Sequence, residues 1–323
     1  MGDTKQSRRR FMKGAGLAMG SVLSATAPEA GAAQGVQRSA SQPSRSRAAR
    51  FRAGVASPQG FVLPVVTGVM MARLCELEGF TGGFMGGSGF AAQYALPNFS
   101  LGTLTEVMNY MNQVIENTDL PILADAEDGG GSPVIVYRVV QGFERAGAAC
   151  IMIEDAVDPR THFNSKGAPV ASAELMVNRV KAAVDARKDQ DTMILVRSDA
   201  PAKGYPEQHT LDLAAACSAA GADAFYLAGF SLDQQQKAKA LLKKPLMVGS
   251  SGPASEWKSK GVDMAYYHVE NVALGAIHMA LKELKTTGKF METAKMRLDP
   301  GINAKLIDEE AWRARAKKYG VMM

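Results

Sequence analysis

Carboxylates follow two apolar runs of the chain, and their types and spacing are those of a cation site. Asp125 and Glu127 close the run at 122–125, and Glu154 closes a second run at 150–154. Side chains alternate along a strand, so we expect Asp125 and Glu127 to point to the same side. Hard cations such as Mg2+ bind one or two carboxylates together with water, and they leave positions open for the oxygens of a substrate. The pattern predicts an enzyme that uses Mg2+, with Mn2+ as the alternative cation.

Short apolar runs alternate with amphipathic stretches from residue 61 onward. The predicted strands are 62–66, 82–85, 122–125, 150–154, 193–197, 224–227, 246–248 and 264–268, and the predicted helices between them include 104–116, 134–146, 173–187, 211–220 and 233–242. Eight alternating units predict an α/β fold, a (β/α)8 TIM-type barrel. A doubly wound open sheet is the alternative, and it is disfavoured because no dinucleotide-type glycine fingerprint follows the first strand.

A (β/α)8 barrel builds its active site at the C-terminal ends of its strands. Besides the acids above, Arg197 and Asp199 close the fifth predicted strand, and His268 closes the eighth. Any one of these residues is equally well explained by a salt bridge or a helix cap. Their occurrence at equivalent strand ends favours a shared site.

The charge of the chain is concentrated at its N-terminus. Of 37 basic and 32 acidic residues, nine basic and two acidic ones fall within residues 1–50, which leaves 28 basic and 30 acidic residues in the remainder. The body of the protein is therefore close to neutral, and this excludes a nucleic-acid partner, which would need a basic patch. With 46% hydrophobic and 21% charged residues, the chain is too apolar to be disordered and has room for one catalytic domain.

The N-terminus has the pattern of a twin-arginine export signal. Residues 7–13 read SRRRFMK, a mildly apolar segment follows at 14–27, and small residues continue to Ala33. A membrane anchor is the alternative, but a bilayer needs about 20 strongly apolar residues and this segment is shorter. We expect residues 1–33 to be a signal peptide and the mature protein to be periplasmic or secreted, without a stable membrane anchor.

The remaining chain divides into three segments. Residues 34–55, rich in Ser, Arg, Gln and Ala at their start, are predicted to be a flexible linker. Residues 56–285 are predicted to be the barrel, and residues 286–323 a C-terminal helical extension. The cysteines lie in apolar periodic segments and are expected to be buried thiols; they are Cys75, Cys150 and Cys217.

Short motifs in a fixed order run through most of the chain. They are Gly87-Ser88-Gly89, Pro97-Asn98, Ala124-Asp125-Ala126-Glu127, Glu144-Arg145-Ala146-Gly147-Ala148-Ala149, Ile153-Glu154-Asp155, Pro159 and Val196-Arg197-Ser198-Asp199-Ala200. Each motif is weak alone, but their order over residues 61–289 resembles the isocitrate lyase and phosphoenolpyruvate mutase superfamily. The resemblance implies an α/β barrel, commonly tetrameric with a C-terminal helix swapped between neighbours. It also implies Mg2+ chemistry on small 2-oxo or 2-hydroxy acids through an enolate.

The resemblance further implies roles for the matching residues. These are Asp125, Glu127 and Glu154 for the metal, Ser88, Gly89 and the backbone of Phe90 for the substrate carboxylate, and Arg197 for substrate binding and catalysis. An enolate carries developing negative charge, and a metal ion with an arginine in a dry barrel mouth would stabilise it.

The chain departs from the family pattern in the loop after the fourth predicted strand. True lyases of the family carry Lys-Lys-Cys-Gly-His or Lys-Arg-Cys-Gly-His there, with the Cys as acid or base, whereas residues 159–167 read PRTHFNSKG. Without a thiol in this loop, cleavage of isocitrate or methylisocitrate by the usual route is disfavoured. Arg160 and His162 are the predicted catalytic residues of this loop, with His162 as a proton donor to the enolate; a solvated loop histidine is the alternative. Other departures are Asn98 for Asp, Glu127 for Asp, Gly130 for Tyr, Ala228 for Glu and Gly249 for Asn.

These observations leave three hypotheses for the function. The leading one is a Mg2+-dependent lyase that cleaves or decarboxylates a small 2-oxo or 2-hydroxy dicarboxylate. The second is a P–C bond enzyme of the phosphoenolpyruvate mutase or phosphonopyruvate hydrolase type, and the third is a periplasmic barrel that binds a carboxylate without turnover.

The C-terminal part of the chain predicts self-association. Residues 271–285 and 307–318 are amphipathic, and a helix packed on a neighbour would bury Leu306, Ile307 and Trp312. We expect a homodimer or homotetramer. A helix folded back on its own barrel is the alternative.

Overall fold

A ring of parallel strands forms the centre of the structure. The computed structural model describes residues 46–99, 101–157, 165–250 and 252–322, and within them eight parallel strands follow the order β1-β8-β7-β6-β5-β4-β3-β2. The strands are β1 Phe61–Pro64, β2 Gly83–Met85, β3 Ile122–Asp125, β4 Cys150–Glu154, β5 Met193–Ser198, β6 Ala224–Leu227, β7 Leu246–Gly249 and β8 Met264–Tyr267. Between β1 and β2 the backbone N–H of Val66 donates to the carbonyl of Phe84 at 2.8 Å. The strands thus form a nearly closed TIM-type barrel, which confirms the predicted fold class.

Helices follow the strands and surround the ring. They are α1 Arg47–Val55, α2 Val69–Leu77, α3 Gly87–Gln93, α4 Leu104–Ile115, α5 Pro133–Ala146, α6 Ala173–Ala186, α7 Ala200–Lys203, α8 Glu207–Ala219, α9 Leu232–Leu242, α10 Ala254–Lys258, α11 Val269–Thr287, α12 Pro300–Leu306 and α13 Glu309–Lys318, with a short 3-10 helix at Thr293–Met296. The strands are buried on both faces because helices cover the outside and side chains fill the inside, and this explains their continuous apolar sequences. In the part of the chain that the structure describes, none of the helices is both long enough and apolar enough to cross a membrane.

Local sequence signals set the bounds of the helix that follows β3. Ser132 is the N-cap of α5 and its hydroxyl accepts a hydrogen bond from the backbone N–H of Ile135, while Pro133 occupies the first helical position. The helix ends at Gly147, whose φ of +98° is a left-handed conformation that favours glycine. The helix therefore starts a fixed distance after β3 and returns the chain to β4.

Residues 47–55, predicted to be the end of a flexible linker, instead form helix α1. Ala48, Phe51 and Val55 recur at helical spacing and are buried, so that α1 contributes to the core at the bottom of the barrel. The Phe51 ring packs edge-on against Phe61 with 5.0 Å between centroids. The prediction of a linker was wrong for these residues, because it rested on the Ser, Arg, Gln and Ala composition at the start of the segment and not on the apolar residues at its end. Arg47 of this helix donates to the carbonyls of Ile115 and Thr118.

Helix α11 leaves a broad apolar surface exposed. None of its residues is buried, and Val272 and Leu281 are 74% and 61% exposed. After α11 the chain turns back, because the Glu283 carboxylate accepts hydrogen bonds from the backbone N–H groups of Met291 and Glu292 and from the Thr293 hydroxyl. Mainly through the Thr293 hydroxyl, this lowers the pKa of Glu283 to about 2.

The packing of α1 can be tested by truncating its central side chain. Phe51→Ala removes a fully buried ring from the bottom of the barrel, so the free energy of unfolding should fall by about 3–5 kcal/mol. Urea denaturation measures the change. The control is Ala53→Ser on the exposed side of the same helix, which should change stability by less than about 0.5 kcal/mol. Equal stability of the Phe51 variant and the parent would mean that α1 is not docked.

Candidate active site

Charged side chains from three neighbouring strand ends meet at the mouth of the barrel. Arg197 lies at the end of β5, and its Nη1 is 3.1 Å from Oε2 of Glu154 on β4 and 3.8 Å from Oδ2 of Asp125 on β3. Its Nε and Nη2 donate to the two carboxylate oxygens of Asp199 at 2.8 and 3.2 Å. The structure thus brings together the predicted residues Asp125, Glu154 and Arg197.

The guanidinium of Arg197 remains charged in this setting. Burial alone would lower the pKa of Arg197, but the neighbouring carboxylates of Glu154, Asp199 and Asp125 raise it well above its usual value. The guanidinium also lies over the ring of Tyr226, 5.5 Å from the centroid. A permanent positive charge is therefore held at the centre of the mouth, next to acids that are themselves buried.

Asp125 is oriented by backbone donors. Its Oδ1 accepts from the N–H of Glu127 at 2.9 Å and its Oδ2 accepts from the N–H of Gly87 at 3.3 Å. These bonds fix the orientation of the carboxylate at the strand end. The carboxylate oxygens of Asp125 therefore lie at the mouth in a fixed orientation.

Glu127 lies in a turn and not in the strand. Strand β3 ends at Asp125, and Glu127 has a φ of +56°, so the predicted alternation that would place both acids on one side does not extend to Glu127. Its carboxylate instead runs alongside Gly87, where a Cβ atom would stand 1.6 Å from Oε1. A side chain at position 87 would therefore displace the Glu127 carboxylate, which borders a cavity next to the acids.

That cavity has a volume of about 210 Å3 and lies between the ends of β2, β3 and β4. Its lining includes Gly87, Phe90, Asn98, Glu127, Ala156 and Val157. Asp125, Glu154 and Arg197 do not line this cavity, which therefore adjoins the charge cluster and does not contain it. Of the residues predicted to bind the substrate carboxylate, Ser88, Gly89 and Phe90 lie in the first turn of α3, beside Gly87.

The positions of the carboxylates are compatible with a cation that two of them bind, and not with a site of three side-chain ligands. Among residues 46–99, 101–157, 165–250 and 252–322, no group of three or more His, Cys, Asp or Glu side chains is arranged to hold a metal ion. However, Oδ2 of Asp125 and Oε2 of Glu154 both approach one positive nitrogen, Nη1 of Arg197. A pair of carboxylate oxygens that share one cationic neighbour fits Mg2+, which keeps most of its water.

Asp155, next to Glu154 in the sequence, has a different role. Its Oδ2 accepts from the Ser198 hydroxyl at 2.5 Å and its Oδ1 from the N–H of Asp199 at 2.9 Å. Burial raises the pKa of Asp155 to about 6. This carboxylate ties β4 to the end of β5 and so supports the Asp199–Arg197 pair.

Other predicted residues lie at the edge of the mouth or outside the described residues. His268 follows β8, packs on Tyr266 and shares a hydrogen bond with Glu270 at 2.5 Å, which raises its pKa. Arg160 and His162, the predicted catalytic residues of the loop, lie outside the described residues. The cysteines Cys75, Cys150 and Cys217 are free and buried, as predicted, and burial raises the pKa of each thiol.

Arg179 is a functional support that the sequence pattern did not identify. It lies on the buried side of α6, is 1% exposed, and donates to the carbonyls of Gly131, Glu154 and Ala156 at 2.9, 3.1 and 3.0 Å. It thereby holds the glycine turn after β3 and the end of β4 in place. Its position in the helix could have indicated this role, because Met176 and Ala183, three residues before and four residues after Arg179, are core residues.

The chain matches the family described as phosphoenolpyruvate phosphomutase over residues 51–288, and it belongs to that family. Relatives include the probable 2-methylisocitrate lyase 2 of Corynebacterium glutamicum, 33% identical over 264 residues that cover 79% of this chain and 85% of that protein. Oxaloacetate decarboxylase of Paraburkholderia xenovorans is 33% identical over 250 residues, 74% of this chain and 81% of that protein. Family membership, predicted from the ordered motifs, is confirmed.

Solved structures share the fold. The crystal structure of a phosphonopyruvate hydrolase complex with oxalate and Mg2+ has a TM-score of 0.75 with this chain, at 24% sequence identity, and covers 85% of this chain and 99% of that one. At this identity the similarity shows the α/β barrel.

The support from Arg179 can be tested by removing its charge and its donors. Arg179→Met leaves the buried carbonyls of Gly131, Glu154 and Ala156 without these donors, so the free energy of unfolding should fall by about 3 kcal/mol or more. The matched control is Lys181→Met on the exposed side of α6, expected to cost less than about 0.5 kcal/mol. Thermal and urea unfolding measure both variants, and similar values for the two would contradict the proposed support.

Proposed function

We propose that this protein is a Mg2+-dependent lyase that acts on a small 2-oxo or 2-hydroxy dicarboxylate, by C–C cleavage or decarboxylation through an enolate. The observation that carries the proposal is the convergence of Asp125, Glu154 and Arg197 at the barrel mouth. Membership of the phosphoenolpyruvate phosphomutase family and similarity to a lyase and a decarboxylase also support the proposal. The oxalate and Mg2+ of the structurally similar hydrolase are consistent with it.

Asp125 and Glu154 are the residues that would hold the cation, with water completing its shell. Glu127 is the third predicted ligand, and its carboxylate borders the adjoining cavity. Mn2+ is the alternative cation, because it also prefers carboxylate and water ligands. When bound, a divalent cation would polarise the carbonyl of a 2-oxo acid and stabilise negative charge on its oxygen.

The protein's own groups supply the remaining chemistry. Arg197 stays charged, and its hydrogen bond to Asp199 fixes the orientation of the guanidinium. This group would stabilise developing negative charge on the bound acid. Ser88, Gly89 and Phe90 in the first turn of α3 would bind the substrate carboxylate. Arg160 and His162 would act from the loop after β4, with His162 donating a proton to the enolate carbon.

The cysteines favour decarboxylation over thiol-assisted cleavage. The loop at 159–167 has no cysteine in its sequence, and Cys75, Cys150 and Cys217 are buried with raised pKa values. None of these thiols is suited to act as an acid or base in the mouth at neutral pH. Decarboxylation of a 2-oxo acid needs an electron sink and a proton donor, which the proposed groups supply.

A P–C bond enzyme is the second candidate. It is favoured by the match to the phosphoenolpyruvate phosphomutase family and by the fold shared with phosphonopyruvate hydrolase. The same cation and arginine would stabilise the enolate that forms when the P–C bond breaks.

Incubation of the purified protein with Mg2+ and a panel of acids tests the function. Oxaloacetate, 2,3-dimethylmalate, 2-methylisocitrate and phosphonopyruvate form the panel, and we expect pyruvate and CO2 from oxaloacetate. Phosphate release from phosphonopyruvate would favour the second candidate. Calorimetric binding of a dicarboxylate without product from any of the acids would indicate a binding protein and contradict the enzymatic proposal.

Cation binding gives a test that is independent of turnover. Asp125→Asn and Glu127→Gln each remove a negative charge from the proposed site, so the affinity for Mg2+ should fall by about an order of magnitude or more. Titration with Mg2+ or Mn2+ measures the affinity. Glu116→Gln, an exposed substitution at the C-terminal end of α4, is the control and should leave it unchanged. Unchanged affinity in the Asp125 variant would exclude Asp125 as a ligand.

We further propose that the protein is a homodimer or homotetramer in which α11 packs against a second copy. The exposed apolar side chains of α11 support this assembly, because a soluble monomer rarely leaves such a surface uncovered. A swapped C-terminal helix would provide the cover. Light scattering on the purified protein should give two or four times the chain mass, and a monomer at micromolar concentration would contradict the proposal.

We also propose export through the twin-arginine route. The leader at 1–33 lies outside the described residues, and its sequence supports the proposal. Cell fractionation should find the mature protein outside the cytoplasm, and Arg8→Lys together with Arg9→Lys should retain it inside. Equal export of the parent and this variant would count against the signal.

A further inference from the structure

Two tyrosines meet at the barrel mouth, on the part of the ring formed by β6, β7 and β8. Tyr226 lies on β6 and Tyr266 on β8, and both pack on the apolar core inside the ring. Their hydroxyl oxygens are 3.0 Å apart, a hydrogen-bond distance. Phe84 supports the Tyr266 ring from below, with 5.0 Å between centroids.

A glycine on the intervening strand makes room for this pair. Gly249 ends β7 and is the register partner of Tyr266. A Cβ atom at Gly249 would stand 2.8 Å from the Tyr266 hydroxyl oxygen and 2.9 Å from Cζ. The phenol of Tyr266 therefore occupies the space that a polar side chain at position 249 would use, and it brings its own hydroxyl to the same part of the mouth.

The pair has a hydrogen-bond donor to spare. Each phenol carries one O–H group, and the bond between the two hydroxyls uses only one of the two hydrogens. Burial raises the pKa of Tyr226 well above its usual value, so this phenol keeps its proton at neutral pH. The second hydrogen can be donated to an acceptor that enters the mouth.

The neighbouring group shows which acceptor would fit. The guanidinium of Arg197 lies over the Tyr226 ring, so that a fixed positive charge and a phenol donor stand side by side. Arg197 directs Nε and Nη2 to Asp199 and Nη1 to Glu154, so its own contacts are largely taken up by protein carboxylates. An anionic oxygen beside Arg197 would need a further donor, and the tyrosine pair supplies one.

We propose that Tyr226 and Tyr266 are substrate-contacting residues that donate a hydrogen bond to an oxygen of the bound carboxylic acid, across the mouth from Asp125 and Glu154. The inference rests on the proposed function, since it requires a small anionic acid in the barrel mouth. It adds a specificity element: the tyrosine pair recognises an acid with an acceptor oxygen on the β6–β8 side. The ring of Tyr266 limits the length of the acid on that side.

Calorimetric binding of oxalate in the presence of Mg2+ tests the inference. The double variant Tyr226→Phe and Tyr266→Phe removes both hydroxyls and keeps both rings, and with them the packing and the stacking under Arg197. Loss of a hydrogen bond to a charged group should weaken oxalate binding by roughly tenfold or more. The single variants Tyr226→Phe and Tyr266→Phe identify the phenol that contacts the ligand, because the variant that loses the donating hydroxyl should bind oxalate more weakly; together they provide a result if the double variant is unstable.

Tyr267 is a matched control on the same strand. Its side chain points away from the mouth, and its hydroxyl donates to the carbonyl of Gly252 at 2.6 Å and accepts from Trp257 Nε1 at 3.1 Å. Tyr267→Phe should lower the melting temperature and leave oxalate affinity unchanged. The double variant removes both partners of the Tyr226–Tyr266 hydrogen bond, so it should lose affinity with little change in melting temperature.

The outcomes separate this inference from the proposed function. Oxalate binding by the parent protein with equal affinity in the Tyr226 and Tyr266 variants would overturn the inference and leave the function standing. Failure of the parent protein to bind oxalate with Mg2+ would overturn both. An equal loss of affinity in the Tyr267 control would show that the effect is structural and would also overturn the inference.

Discussion

The ion pairs of Arg197 are the interaction on which the mouth of this barrel depends. Buried carboxylates are costly unless an opposite charge or several hydrogen bonds compensate for them. Glu154 and Asp125 come from adjacent strands and meet the same guanidinium nitrogen, while Asp199 holds the other edge of the group. This arrangement places two carboxylate oxygens next to the guanidinium of Arg197. The negative charges of Asp125 and Glu154 are already balanced by Arg197. A divalent cation that binds there together with a substrate acid would take the place of Arg197 in this role.

The surrounding elements make this charge cluster rigid. The parallel strands bring the ends of β3, β4 and β5 to one edge, and backbone N–H groups orient Asp125. Arg179 reaches from α6 to the carbonyls on both sides of the site, and Asp155 joins β4 to β5. Preorganised charges of this kind are effective in stabilising a developing anion because they need little rearrangement when the charge forms.

The sequence predicted the barrel and the residues at its strand ends because both follow from short-range patterns. Apolar runs of three to five residues recur between amphipathic stretches, and acids at the ends of successive parallel strands must lie at one edge. Glu127 departs from this pattern because it lies beyond the strand, in a turn whose left-handed backbone the alternation rule does not cover. Helix α1 was not predicted because its arginines donate to backbone carbonyls at the bottom of the barrel. These carbonyls belong to residues about 70 or more positions away in the sequence, so a local pattern does not indicate the contacts. The contacts of Arg179 and of the tyrosine pair join residues distant in the sequence, so they are visible only once helices and strands are placed together.

The most direct test of the account is a crystal structure of the protein grown with Mg2+ and oxalate, which resembles the enolate of a 2-oxo acid. The account predicts a cation bound by oxygens of Asp125 and Glu154, with oxalate on its open side and Arg197 turned from Glu154 towards the ligand. A structure in which Arg197 still bridges the two carboxylates, with neither cation nor oxalate in the mouth at saturating concentrations, would contradict it.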